Sequence, residues 1–146
     1  MEKTVRAVLR TRMGLIMVRI EGQSQWRCIE VNVAETDARW EHALIRELPL
    51  CTGIKIHLTQ IKRITSRTSQ RAGSKRKRQT IYCEVLIPDI HILTNIQSWG
   101  PGGLEVAEIP YHRARDAACV RKNERDFLAR YHLLRAPRTK TLINRR

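Results

Sequence analysis

The chain has 146 residues, 42% hydrophobic and 29% charged, a balance that excludes an intrinsically disordered chain. It suits one domain with its own core over residues 1–135, followed by a basic tail over 136–146. No stretch approaches the roughly 18 uncharged apolar residues of a membrane span, and Met1-Glu2-Lys3-Thr4-Val5-Arg6 lacks the apolar centre of an export signal. With 28 Lys and Arg against 14 Asp and Glu, the formal charge is +14. Such a surplus favours a polyanionic partner: RNA, DNA, an acidic protein or an anionic surface.

Residues 4–10 alternate, with Val5, Ala7 and Leu9 on one side, the period of a half-buried strand. Arg12-Met13-Gly14 turns the chain, and Leu15–Val18 reads as a second strand pairing back as a hairpin. A polar loop over 21–25 leads to a strand from Trp26 to Val33. Asp37 is placed to cap the first helix, in which Trp40, Ala43, Leu44, Glu47 and Leu48 recur at three- and four-residue spacing. Pro49 limits that helix, and Gly53 supplies a permissive backbone after its last turn. Ile54, Ile56 and Leu58 alternate and start a strand that runs to Ile64.

Residues 62–79 then carry eight positive charges and no negative one. That stretch reads as an inserted loop or an extended hairpin tip. Thr80–Pro88 is the strongest strand, with Ile81, Cys83, Val85 and Ile87 on one face. Gly100–Gly103 is a turn and Leu104–Ile109 a short strand. Asn123 is placed to cap a final helix carrying Phe127, Leu128, Tyr131 and Leu134 on one side, which Ala136-Pro137 ends. This order predicts a mixed α+β domain with helices on a sheet.

Cys28, Cys51, Cys83 and Cys119 are 23, 32 and 36 residues apart, with no Cys-x-x-Cys pair. Free, buried thiols in a reducing, cytoplasmic compartment are expected. The five histidines show no i, i+4 pairing, so no metal site is predicted. No phosphate loop of the Gly-x-x-x-x-Gly-Lys type and no Gly-x-Ser-x-Gly elbow occurs. Trp40, Phe127 and Tyr131 read as core. Trp99, beside Gly100-Pro101, reads either as a base-stacking loop residue or as an edge plug of the core.

One stretch carries a family resemblance. Residues 43–54 read Ala-Leu-Ile-Arg-Glu-Leu-Pro-Leu-Cys-Thr-Gly-Ile. They resemble the end of the Nudix box, Ala-x-x-Arg-Glu-Leu-x-Glu-Glu-Thr-Gly-Ile, at Ala43, Arg46, Glu47, Leu48, Thr52, Gly53 and Ile54. Trp26, Glu35, Thr36 and Glu41 fall where that family has a strand-end tryptophan and the acidic start of the box. Residues 103–111 and 123–128 resemble its last strand and C-terminal helix. The resemblance implies a mixed sheet between a box helix and a C-terminal helix. It also implies glutamates that hold magnesium to activate water against a pyrophosphate.

This chain departs from that pattern where the metal would sit. Leu50 and Cys51 replace the glutamate pair, and the glycines that open the box are replaced by Glu30-Val31-Asn32-Val33-Ala34. Leucine cannot bind a hard cation, and a thiol is a poor magnesium ligand. The expectation is a degenerate, non-hydrolytic Nudix-like protein without a cofactor. It would bind a nucleotide-type ligand in the cleft of that fold, or RNA or DNA along the basic loop and tail, with phosphate contacts from Arg63, Arg67, Arg71, Lys75, Arg76, Lys77 and Arg78. In the two other readings, Glu47 with Arg46 serves an active magnesium-dependent hydrolase with Glu35, Glu41, Glu105 or Glu108 completing the site, or the scaffold docks a protein partner.

Overall fold

The computed structural model describes residues 1–70, 72–87, 97–99 and 104–138. Among them, seven strands form one sheet: β1 (Glu2–Arg10), β2 (Gly14–Ile20), β3 (Ile29–Asn32), β4 (Ile61–Gln70), β5 (Lys77–Leu86), β6 (Gln97–Trp99) and β7 (Leu104–Pro110). The helices are α1 (Trp40–Thr52), α2 (Tyr111–Ala114) and α3 (Lys122–Arg130). Strand order is β4-β5-β1-β2-β7-β6, with β3 as a further partner of β1. β1 and β5 run parallel from Glu2↔Arg78 to Arg10↔Leu86, and the other pairs are antiparallel. This is the expected mixed α+β fold.

Side-chain alternation builds the two layers. Val5, Ala7 and Leu9 of β1 and Cys83 and Val85 of β5 bury against Ala43, Leu44 and Leu48 of α1. Val8, Leu15, Met17 and Ile109 bury on the other face with Trp26, Phe127 and Leu128. α1 and α3 therefore cover opposite faces of the sheet.

β1 is shared along one side. Leu9 and Arg10 pair with Ile16 and Leu15 of β2, while Thr4–Ala7 pair with β3. The sheet splits between β2 and β3, where the bridge Val18↔Arg27 spans the gap. The β1–β2 turn is fixed by Thr11, whose Oγ1 accepts the Met13 and Gly14 N–H groups at 3.1 and 3.0 Å. Gly14 must lack a Cβ, which would lie 2.1 Å from the Ile109 carbonyl oxygen on β7.

Several boundaries differ from the sequence expectation. Ile54 and Ile56 are buried, but as irregular chain; a 3-10 turn over Leu58–Gln60 follows before β4 begins. β3 is limited to Ile29–Asn32, because Trp26 and Arg27 make isolated bridges to Val120 and Val18. Helix α1 runs past Pro49 to Thr52. Proline removes one helical N–H, yet the Thr52 hydroxyl donates to the Leu48 carbonyl at 2.7 Å and Gly53, at φ 76°, donates its N–H to the Pro49 carbonyl. The last turn is thereby closed.

Neither predicted cap is used. Arg39 precedes α1 and Arg121 precedes α3, and neither makes a side-chain cap bond. Asn123 lies inside α3 and accepts only the neighbouring Glu124 N–H. α3 ends at Arg130, so Leu134 lies beyond it. Of the two readings for 62–79 the extended hairpin holds: 62–70 and 77–79 lie in the arms of the β4–β5 hairpin and 72–76 in its tip, with Ser69↔Arg78 and Gln70↔Lys77 in register. Trp99 pairs with Leu104 in a strand rather than sitting in a loop. The turn at 100–103 and the tail beyond 138 lie outside the described residues.

Candidate functional site

The stretch that resembles the Nudix box folds as a loop, helix and loop locked by one arginine. Asp37 is half-buried, and its carboxylate accepts the Ala34 N–H at 2.8 Å. Arg46 on α1 donates to the same carboxylate from Nε and Nη2 at 3.3 and 2.9 Å, and to the Asn32 carbonyl at 3.2 Å. The Arg46 guanidinium beside Asp37 holds that carboxyl below the usual carboxylate range, helped by the Ala34 N–H. Asp37 therefore ties the loop to the helix instead of capping it. The helix residue Arg46 also donates to the Glu47 carboxylate.

The positions that follow Glu47 around the helix surface are three and four residues on. There stand Leu50, 67% exposed, and Cys51, half-buried. Burial pushes the Cys51 thiol up, and the nearby Glu47 charge adds to the shift. One carboxylate already held by an arginine, one alkyl group and one protonated thiol do not fit a hard dication, which takes oxygen ligands.

Of the four carboxylates that could have completed a metal site, three make contacts of their own. Glu41 is buried, with Arg39 on its Oε2 at 2.6 Å and no partner on Oε1 among the described residues. Glu105 pairs with Arg19 at 3.1 Å, and Glu108 accepts the Thr11 hydroxyl at 2.8 Å. Glu35 is exposed. Among the described residues, no group of three His, Cys, Asp or Glu side chains converges at metal-holding distance.

Beside the C-terminal end of α1, the split in the sheet opens a cleft of about 330 Å³. Arg27, Asn32, Cys51, Arg78 and Leu104 line it. Arg27 and Asn32 carried no motif signal, since their position follows from the split of β1's partners.

The basic residues singled out from sequence do not form one surface. In antiparallel strands, opposed residues share a face. Arg63 opposes Cys83 and Arg67 opposes Thr80, so the bulge between Arg63 and Thr65 sends them to opposite sides. Arg63 donates to the Ser66 hydroxyl at 2.8 Å, and Arg67 lies 5.5 Å from the centre of the Tyr82 ring. Arg78 pairs with Glu30 at 3.1 Å, and Arg6 bridges Glu30 to Glu124. Arg71 lies outside the described residues.

Lys75, Arg76 and Lys77 do come together at the hairpin tip. Its turn is set by Gly73 at φ 77°, by Gln70 donating to the Ser74 carbonyl at 2.6 Å, and by the Ser74 hydroxyl accepting the Arg76 N–H at 3.1 Å. All three cations are exposed, and among the described residues none has a carboxylate within ion-pair distance. Glu2 lines the same surface groove.

No protein-family model matches the chain, and no curated protein matches it in sequence. Solved structures do match its fold. The NUDIX domain of Shewanella oneidensis NrtR, complexed with ADP ribose, superposes with a TM-score of 0.64 at 16% identity, covering 90% of this chain and 87% of that one. The E. coli dihydroneopterin triphosphate pyrophosphohydrolase gives 0.60 at 13% identity, over 88% of this chain and 93% of that one. A chain from the complex between the C-terminal domain of mouse MUTYH and human PCNA gives 0.58 at 12% identity, over 99% of each. The chain has the Nudix fold. Among the described residues, no helix is long and apolar enough to cross a membrane.

Proposed function

We propose that this chain is a non-hydrolytic Nudix-fold protein that binds the phosphate backbone of RNA or DNA through the tip of the β4–β5 hairpin. The observation that carries the reading is Lys75-Arg76-Lys77, three consecutive exposed cations without acidic partners among the described residues and displayed on an ordered turn. Cations already paired within a protein give little to a partner. Unpaired ones displace counterions from a nucleic acid and gain sequence-independent affinity. The formal charge of +14 adds a long-range attraction for a polyanion.

The non-hydrolytic part rests on Glu47, Leu50 and Cys51, whose donor set does not suit magnesium. The four free thiols fit a reducing, cytoplasmic setting. A second reading places a nucleotide-type ligand in the cleft, and the lining by the exposed Arg27 favours it.

The test is fluorescence polarisation of labelled 20-nucleotide single-stranded RNA, single-stranded DNA and duplex DNA against the full chain over a salt series. Wild type is expected to bind at low salt and weaken steeply as salt rises. Lys75→Ala/Arg76→Ala/Lys77→Ala should flatten the slope of log affinity against log salt by about 2 to 3, with unchanged circular dichroism. Equal affinity and equal slope in the variant would overturn the proposal.

A further inference from the structure

At the end of the sheet away from the hairpin tip lies a second cationic pocket, of about 570 Å³. The length of β1, from Glu2 beside the tip to Arg10 in the pocket, separates the two by about 26 Å at 3.3 Å per residue. The pocket also lies on the α3 face, away from α1. It is thus distinct from both the cleft and the tip.

Its floor is Arg10 and Glu84, ion-paired at 2.8 Å with side chains 10% and 13% exposed. Arg10 also donates from Nη2 to the Arg135 carbonyl at 2.8 Å, which fixes the wall after α3 to the floor. Lys62, Arg135 and Arg138 line the rest, all exposed. The single lining carboxylate is already neutralised by Arg10, so three cations remain without one in the pocket. Tyr131 supplies an aromatic wall. The volume falls in the range of small-molecule sites, roughly 300–1,000 Å³.

The turn that forms this wall is unusual in one residue. After α3, the His132 N–H bonds the Ala129 carbonyl and the Leu133 N–H bonds the Leu128 carbonyl. This is the helix ending in which glycine is favoured at the left-handed position. Here that position is His132, at φ 58°, the one non-glycine residue with positive φ among the described residues. An imidazole stands where a glycine would fit without strain, and it lines the pocket.

We propose that this pocket binds a phosphorylated small molecule of mononucleotide size, its phosphate held by Lys62, Arg135 and Arg138 and its ring set against Tyr131, with His132 completing the wall. Isothermal titration of the full chain with AMP, pyrophosphate and inorganic phosphate tests it. AMP is expected to bind saturably at one site. Arg135→Ala and Arg138→Ala should each weaken it about tenfold, the effect of losing one charge-assisted hydrogen bond. Arg135→Ala keeps the main-chain contact to Arg10, and Arg138→Ala provides a second variant remote from that contact.

His132→Gly separates binding from folding. It should weaken AMP binding while the Tm stays level or rises, because glycine relieves the left-handed strain. The hairpin triple-alanine variant should bind AMP as wild type does. The proposal is overturned by absence of saturable binding with all three probes, by unchanged affinity in both arginine variants, or by loss of AMP binding in the hairpin variant instead.

Discussion

The loop and helix over 32–53 and the hairpin over 61–86 both carry dense charge, and they differ in where that charge is satisfied. In the first, Arg46 bonds Asp37, Glu47 and the Asn32 carbonyl, so its charge holds the chain together. At the hairpin tip, Lys75, Arg76 and Lys77 have no carboxylate partner among the described residues. Ionic groups paired internally fix local geometry, whereas unpaired exposed ones act on molecules in solution. In the first region the charge braces α1 against its loop, whereas at the hairpin tip it stays exposed.

This contrast can be broken by substitution. The largest effect on stability is expected beneath the helix. Leu48→Ala empties a fully buried position between α1 and the sheet and should cost about 2–5 kcal/mol in chemical denaturation. The hairpin triple-alanine variant should leave stability within about 0.5 kcal/mol of wild type. Its loss should instead be in nucleic-acid affinity, about 10- to 100-fold at low salt. Equal losses of stability in the two regions would erase the distinction.

Asp37→Asn should lower the Tm by less than Leu48→Ala does. It should also remove an acid-dependent component of stability. The sign follows from the depressed carboxyl: its contribution is present above the unfolded value of about 3.9. It is lost as pH falls through the lower folded value. The difference between wild type and variant should therefore shrink as pH falls below about 4 and vanish below the depressed folded value. The smallest effect concerns the thiols. Only Cys51 is half-buried, and its thiol is shifted up, while Cys28, Cys83 and Cys119 are buried. One cysteine should react slowly with a thiol reagent in native protein and four in denaturant.

The sequence made the sheet legible where alternation is strict. Val5, Ala7 and Leu9 and their parallel partners Ile81, Cys83 and Val85 lie as their period requires. It misled at Ile54 and Ile56, because burial of alternate residues in irregular chain leaves the same pattern as a strand. Asp37 had the residue type of a cap, and nothing local shows that Arg46, nine residues on, takes its carboxylate. Arg78 looked free within a basic run, although Glu30, 48 residues away, pairs with it. The departure from the box pattern at Leu50 and Cys51 was visible in the sequence itself. The cleft and the second pocket were not, since their walls come from segments that only the folded sheet brings together.

Placing carboxylates at positions 50 and 51 would sharpen the comparison further. Leu50→Glu/Cys51→Glu places acids three and four residues after Glu47 and should raise Mn²⁺ binding measured by electron paramagnetic resonance over wild type. Turnover tests the central claim most directly. Wild type and Glu47→Gln would be incubated with nucleoside triphosphates, ADP-ribose and dinucleoside polyphosphates, with magnesium and with manganese. A non-hydrolytic protein predicts no product above the uncatalysed background from either form. Hydrolysis by wild type that disappears in Glu47→Gln would contradict it.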